Sequence, residues 1–225
     1  MKTILLTGAS RGLGLEFTRQ YAEAGWRVIA TCRDPKGADS LRGVAGKVEI
    51  HPLDVTDFPG IAALADRLRD VAIDVLIANA GIIGPRDMAS DAVDAAAWAE
   101  VFRVNAMAPL TLAGAFRKHV ARSGERKAVA ISSRLGSMGA NDDGGLYVYR
   151  SSKAALNAVW RSFALDNVGL IAAVLHPGWV STDMGGSSAP VKPRESVAGM
   201  RKVIAGLTET ESGLFFGYDG ERLPW

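Results

Sequence analysis

Cysteine and histidine are scarce in this 225-residue chain. Its only cysteine, Cys32, excludes an internal disulfide, and the histidines at 51, 119 and 176 lack the spacing of a metal site. We therefore expect no metal cofactor and a stability that comes from packing.

Long apolar runs and a strong charge of one sign are also missing. The longest apolar run, 170–175, is far shorter than the roughly 20 residues of a membrane-spanning helix. The apolar stretch at the N-terminus is interrupted by Gly8 and is too short for a secretory signal. The 26 Lys and Arg residues nearly balance 24 Asp and Glu residues, which disfavours a nucleic-acid-binding surface. These absences predict a cytoplasmic protein that binds neither nucleic acid nor membrane.

The sequence does contain short aliphatic runs that alternate with longer segments of helical spacing. Leu13, Phe17 and Tyr21, for example, share one face of a helix. The aliphatic runs predict seven strands, at 3–6, 27–31, 48–52, 74–78, 127–132, 170–176 and about 214–216. Such alternation is typical of βαβ units. No repeat or linker divides the chain, so we predict one α/β domain over 1–225: a doubly wound Rossmann fold whose seven-stranded, mostly parallel sheet carries helices on both faces.

A glycine-rich loop follows the first predicted strand and leads into a helix. Glycines that let an anion approach the unpaired amides of a helix N-terminus make a phosphate site. A plain tight turn is the alternative, but the position between strand and helix favours a dinucleotide site. The residues expected to bind the cofactor there are Gly8, Ser10, Arg11, Gly12, Leu13 and Gly14.

The residue after the second strand indicates which dinucleotide is bound. An acidic residue at that point selects the free 2′-hydroxyl of NAD, whereas an arginine accommodates the 2′-phosphate of NADP. Arg33 occupies this region and Arg11 adds a second positive charge, so we predict NADP. If the strand ends one residue later than Thr31, Asp34 could take the position and favour NAD instead. A solvated loop arginine is the other interpretation of Arg33.

Tyr149 and Lys153 are four residues apart and would share one face of a helix. An ammonium there would favour the phenolate and lower a tyrosine pKa that is ordinarily about 10. Tyr147 lies on another face. By itself the pair is a weak signal, because this spacing occurs by chance in many helices.

Several motifs occur together in a fixed order along the chain. They are the glycine loop, Asn79-Ala80-Gly81, Asn105, Ser132-Ser133, Tyr149-x-x-x-Lys153 and His176-Pro177-Gly178. With them the chain resembles the short-chain dehydrogenase/reductase family from end to end. The stretches 131–137 and 144–150 are similar to its C-factor-like and sniffer-like carbonyl reductase branch.

The resemblance implies roles for individual residues. Tyr149 would be the general acid/base, and Lys153 would hold the nicotinamide ribose and lower the pKa of the tyrosine. Ser133 would bind the substrate oxygen, a choice over Ser132 made by analogy, and Asn105 would support a water relay. Further cofactor contacts are expected from Asp54, Val55, Asn79, Ala80, Gly81, Pro177, Gly178, Val180 and Thr182.

Taken singly, these residues also have purely structural interpretations. Asn105 could be a buried polar group that forms hydrogen bonds with the backbone. Asp54 could be a turn residue, and Pro177-Gly178 could be a turn without function. Their common order makes the functional interpretation the stronger one.

The predicted function is therefore NADP-dependent reduction of a small aldehyde, ketone or quinone to an alcohol, with Tyr149 as proton donor. The alternative is a nucleotide-binding regulatory or signalling protein with incidental catalysis. The segment from Met184 to Glu195, where the resemblance implies a substrate lid, is short and polar and predicts an open substrate pocket. The resemblance also implies a homodimer or homotetramer.

Overall fold

The computed structural model describes residues 1–225 and contains one seven-stranded sheet. Its strands are β1 (Thr3–Thr7), β2 (Arg27–Cys32), β3 (Val48–Pro52), β4 (Val75–Ala78), β5 (Lys127–Ile131), β6 (Ile171–His176) and β7 (Phe215–Gly217). They lie in the order β3-β2-β1-β4-β5-β6-β7, and every neighbouring pair is parallel. The predicted Rossmann architecture is confirmed, and the sheet is wholly rather than mostly parallel.

Seven helices connect the strands. They are α1 (Gly12–Glu23), α2 (Asp39–Arg42), α3 (Phe58–Arg67), α4 (Ala95–Phe102), α5 (Ala108–Ala121), α6 (Tyr147–Asp166) and α7 (Pro193–Gly206). None of them is long and apolar enough to cross a membrane.

The sheet is buried on both faces, which is why its strands consist of almost continuous aliphatic residues. On one face, Phe116 of α5 and Trp160 of α6 pack over inner strand residues such as Leu76. On the other face, Phe17 of α1 and Met200 of α7 pack over residues such as Ile77. Two separate cores of similar size therefore lie between the sheet and its two helical layers.

A π-helical segment, Arg103–Met107, joins α4 to α5. Such segments are rare and occur mostly as single turns, frequently at functional sites. This one places Asn105 in the interior, where the residue is fully buried. Helical periodicity predicts a helix in this region but gives no sign of the wider turn.

The start of α1 lies unusually close to the loop before it. Gly8 and Gly12 have φ angles of +68° and +53°, which favour glycine. A Cβ built on Gly14 would lie 2.1 Å from the Gly8 carbonyl oxygen and 2.7 Å from Asn79 Nδ2. The absence of a side chain at Gly14 is therefore what allows helix and loop to meet.

This contact predicts opposite effects for two glycine-to-alanine substitutions. Gly114→Ala on the exposed side of α5 meets nothing within 4 Å, so the higher helix propensity of alanine should stabilise the protein by up to about 1 kcal/mol. Gly14→Ala should destabilise it by roughly 1–3 kcal/mol, because the new methyl group displaces backbone. Urea unfolding of both variants provides the measurement. Equal stabilisation by the two substitutions would contradict the close approach.

Candidate active site

A cleft of about 360 Å³ opens at the carboxyl edge of the sheet, above the ends of β1, β2, β4, β5 and β6. All of the predicted cofactor-binding residues line it except Gly178 and Val180. Val180 is buried and forms a bridge with Val191, while Gly178 packs against Tyr218. Loops that are far apart in sequence thus meet at one edge, as expected of open α/β sheets.

The cleft also contains residues for which the sequence analysis predicted no role at this site. They are Cys32, Leu53, Thr56, Ile82, Glu100, Val104, Ile131, Asp183 and Met184. Cys32 and Ile131 end β2 and β5, and Leu53 directly follows β3, so their place at the strand ends could have indicated them. Glu100 and Val104 come from α4 and the π-helical segment, and no sequence signal pointed to them.

The phosphate-binding loop is held in place by Thr7 and Asn79. Asn79 Nδ2 donates to the carbonyl oxygens of Thr7 at 2.8 Å and Gly8 at 3.2 Å. The Thr7 hydroxyl accepts from the amides of Asn79 and Ala80, both at 3.1 Å. These bonds fix the loop after β1 to the loop after β4. Asn79 therefore both holds the glycine-rich loop in shape and lines the cleft.

The N-terminus of α1 is free to bind an anion. No side chain caps it, and its first turn contains no acidic residue. Its first amides and its dipole therefore have no protein carboxylate to satisfy them. This donor set fits the diphosphate of a dinucleotide.

Arg33, and not Asp34, faces the cleft. β2 ends at Cys32, one residue later than predicted, yet Arg33 lines the cavity and Asp34 does not. The Asp34 carboxylate instead accepts from the Lys36 amide at 3.0 Å in a local turn. The strand thus ends one residue later than Thr31, which is the case in which Asp34 was expected to favour NAD. The turn nevertheless keeps the Asp34 carboxylate out of the cleft.

Asp54 lies in a turn at the edge of the cleft. Its Oδ1 atom accepts from the amide and the hydroxyl of Thr56, at 2.9 and 2.8 Å, and these bonds lower the pKa of the carboxyl group. It is therefore a turn residue that also lines the cleft next to Val55.

Tyr149 and Lys153 lie together on α6, and both are buried. Lys153 Nζ is 5.8 Å from the centre of the Tyr149 ring and donates to the Ile131 carbonyl oxygen at 2.8 Å. Only one of its three donors is used in this way, which leaves two for groups in the cleft. The ammonium thus bridges the end of β5 and the tyrosine.

Burial decides the protonation of this pair. It lowers the pKa of Lys153 to about 8 and raises the pKa of Tyr149 to about 12. Interaction with the Ser133 hydroxyl and the charge of Arg86 offset part of the rise at Tyr149. Removal of the phenolate from water is the largest effect on the Tyr149 pKa, and the lowering of that pKa by Lys153 stays a prediction. At neutral pH Tyr149 carries its proton.

The two neighbouring serines differ in what they contact. Ser132 is buried and donates to Asn157 Oδ1 at 2.7 Å. Ser133 accepts from the Leu135 amide and interacts with the Tyr149 phenol. Ser132 lines the cleft and Ser133 does not, so the choice of Ser133 over Ser132 stays a prediction.

Asn105 connects the loop after β4 to α6. Its Nδ2 atom donates to the Ile82 carbonyl oxygen at 2.8 Å and to Ser152 Oγ at 3.0 Å, and its Oδ1 atom accepts from the Ile82 amide at 2.9 Å. A Cβ on Gly81 would lie 3.2 Å from Asn105 Oδ1 and 3.5 Å from Lys153 Nζ. The side chain thus has the structural role considered for it and also lies close to the lysine.

Two hydrogen bonds hold the loop after β6 near the cleft. Arg86 Nη2 donates to the Met184 carbonyl oxygen at 2.7 Å, which joins the loop after β4 to the loop after β6. The Trp179 indole holds the same loop through a 2.8 Å bond to the Gly185 carbonyl oxygen. These bonds fix the start of the polar segment from Met184 to Glu195, and the open substrate pocket stays a prediction.

A phosphate-binding helix start at the carboxyl edge of a parallel sheet, next to a buried tyrosine and lysine, defines a nucleotide-dependent oxidoreductase of the α/β class. The family model described as short chain dehydrogenase matches residues 2–192. The chain belongs to this family, as the ordered motifs predicted, and is an NAD(P)-dependent oxidoreductase.

Similarity to individual proteins indicates the branch of the family. C-signal of Myxococcus xanthus is 45% identical over 155 residues, which cover 68% of this chain and 93% of C-signal. The carbonyl reductase Sniffer of D. melanogaster matches with a TM-score of 0.92 and 33% identity, covering 100% of both chains. An NADPH-bound carbonyl reductase from chicken fatty liver matches with a TM-score of 0.91 and 37% identity, covering 100% of this chain and 99% of that one. The similarity to the C-factor-like and sniffer-like branch is thereby confirmed.

The buried lysine predicts how stability depends on pH. The pKa of Lys153 is about 8 in the folded protein against 10.5 for the free side chain. Between these values the unfolded chain binds the extra proton, so the free energy of unfolding should rise with pH, by up to about 3 kcal/mol from this group. Lys153→Met should lack that increment when both proteins are unfolded by urea at pH 7.5, 9 and 10.5. Parallel curves for the two proteins would show that Lys153 is solvated.

Proposed function

We propose that this protein is an NADP-dependent reductase that converts a small aldehyde, ketone or quinone into an alcohol. The observation that carries the proposal is a buried Tyr149 at the end of a cleft whose other end presents Arg33 and a free helix N-terminus. A proton donor and a dinucleotide site in one cleft are the parts that this reaction needs. The NADPH in the related chicken carbonyl reductase supports the same choice of cofactor.

The residues of the cleft divide into three groups along the cofactor. Arg33 and Arg11 suit the 2′-phosphate, and Asp54 and Val55 lie where the adenine would rest. The α1 N-terminus suits the diphosphate. Lys153, with two free donors, suits the second ribose, next to Asn79, Gly81, Pro177 and Thr182. When bound, the cofactor supplies the hydride for the carbonyl carbon.

Tyr149 then provides the proton for the carbonyl oxygen. Its phenol is protonated at neutral pH, so it can donate as negative charge develops on that oxygen. The Ser133 hydroxyl interacts with the same phenol and orients the substrate oxygen toward it. Each turnover consumes one hydride and one proton, and Tyr149 recovers its proton from solvent.

Lys153 and Asn105 provide a route for this recovery. The ammonium is bonded to a backbone carbonyl on one side and has free donors on the other. Asn105 lies next to it beneath Gly81 and is itself fixed by three hydrogen bonds. A water held between them would connect the tyrosine to solvent while the substrate covers the cleft.

A signalling role without turnover is the second candidate, because 45% identity links the chain to C-signal. The retention of Asn105, Ser133, Tyr149 and Lys153 favours catalysis. A protein that binds NADPH but turns over no member of a broad carbonyl panel would support the signalling role instead.

The first test removes the proton donor. Tyr149→Phe should lower kcat for NADPH-dependent carbonyl reduction at least about a hundredfold, since a positioned general acid contributes roughly 10²–10⁴. NADPH binding, followed by tryptophan fluorescence, should change little. The matched control is Tyr147→Phe, because Tyr147 is exposed on the same helix two residues away. Undiminished turnover by Tyr149→Phe would reject Tyr149 as the acid.

The second test concerns the choice of cofactor. Arg33→Asp should shift the ratio of kcat/KM for NADPH over NADH toward NADH by about ten- to a hundredfold, the worth of one charge-assisted hydrogen bond. Lys36→Asp serves as the control, since Lys36 is exposed nearby but does not line the cleft. An unchanged ratio for Arg33→Asp, or an equal shift for both variants, would refute recognition by Arg33.

A further inference from the structure

A second cavity, of about 380 Å³, lies at the opposite edge of the sheet from the active site. Its floor is formed where β1, β4 and β5 begin, and its walls are α1 and α7. It shares no lining residue with the catalytic cleft. Since β1 has five residues, the length of the sheet separates the two by about 16 Å. Its volume is enough for roughly a dozen water molecules.

Positive charge dominates this cavity. The cationic side chains that line it are Lys2, Lys127, Arg201 and Lys202. Glu125 is its one carboxylate. Glu125 pairs with both lysines of the strand edge, with Lys127 at 3.0 Å and with Lys2 at 2.5 Å. One negative charge is thus shared between two cations, while Arg201 and Lys202 take part in no ion pair.

Arg201 is the group that most clearly lacks a partner. Its guanidinium lies over the Tyr21 ring, 4.7 Å from the centre, and its Nη1 atom donates to the neutral Gln20 Oε1 at 3.3 Å. Its Nε atom is buried and has no hydrogen-bond partner. Burial raises the pKa of Tyr21, so the phenol that interacts with Arg201 is neutral and supplies no negative charge. A half-buried guanidinium whose partners are all neutral calls for an explanation, because such groups are normally paired with an anionic acceptor.

The arrangement of rings and cations restricts what could supply that acceptor. The two aromatic rings of the cavity already have cations over them, Arg201 over Tyr21 and Lys2 over Trp26 at 5.5 Å. A nucleobase therefore finds no open ring to stack on. The remaining free groups are charged donors, and these suit phosphate or carboxylate oxygens.

We propose that this cavity, defined by Lys2, Lys127, Arg201 and Lys202, is a binding site for a small polyanion with two or more phosphate or carboxylate groups. The ligand would bind between α1 and α7. Because α1 begins at the phosphate loop of the active site, the two sites share one helix.

The test is calorimetric titration of pyrophosphate and, separately, of citrate into the NADPH-saturated protein at low ionic strength. Saturation with NADPH blocks the other phosphate site. We expect one site per chain, with an affinity that falls at least about tenfold in Arg201→Gln, since charged hydrogen bonds contribute this much. Tighter binding of pyrophosphate would identify phosphate as the ligand chemistry, and tighter binding of citrate would identify carboxylate.

Two further variants separate binding from folding. Lys202→Gln removes an exposed charge and leaves the packing of α1 on α7 intact, so affinity should fall about two- to fivefold. Arg67→Gln, on the exposed side of α3 and outside the cavity, should leave affinity unchanged. Absence of binding by both anions would overturn the proposal. So would equal affinities in wild type, Arg201→Gln and Lys202→Gln, because the anion would then be bound elsewhere.

Discussion

The free-energy cost of burying the Lys153 ammonium is the constraint around which the active site is arranged. A charge in the protein interior needs polar partners, and this one has the Ile131 carbonyl oxygen but no carboxylate. The helix that carries it must come close to the end of β5. Gly136 permits this, since a Cβ there would lie 2.7 Å from the Lys153 carbonyl carbon. Gly81 faces the ammonium from the opposite loop, where a Cβ would lie 3.5 Å from Lys153 Nζ. The buried ammonium therefore lowers the stability of the protein. In the proposed function, this group binds a ribose and takes part in a proton relay.

The two edges of the sheet present positive potential by different means. At the carboxyl edge, backbone amides at the start of α1 provide it, and these follow from strand, glycine turn and helix whatever the surrounding side chains are. At the amino edge, the side chains of Lys127 and Arg201 provide it, so the property depends on individual residues. Backbone donors keep their geometry when side chains move, which suits a reaction that requires precise placement. Side-chain cations adapt more easily to ligands of different shape.

Much of this architecture could be predicted because its signals are contiguous in sequence. Each strand is a short aliphatic run buried on both faces, and the predicted strand ends differ from the observed ones by no more than one residue. The glycine loop and the Tyr149–Lys153 pair are likewise local patterns. The π-helical turn that buries Asn105 could not be predicted, because one widened turn leaves the apolar spacing of the helix almost unchanged. The bridge from Arg86 to Met184 was also missed, since it joins residues 98 positions apart through a backbone carbonyl.

The sequence by itself determined the order of strands and helices, the family, and which residue types meet at the carboxyl edge, because these depend on periodicity and on short motifs. Only the tertiary structure decided the burial of Tyr149 and Lys153, the position of Arg33 rather than Asp34 at the cleft, and the gathering of four cations around one carboxylate at the amino edge. Each of these depends on burial and on distances across the sheet. Desolvation and Coulomb energies are properties of a residue's surroundings in space, and neighbours in sequence do not specify them.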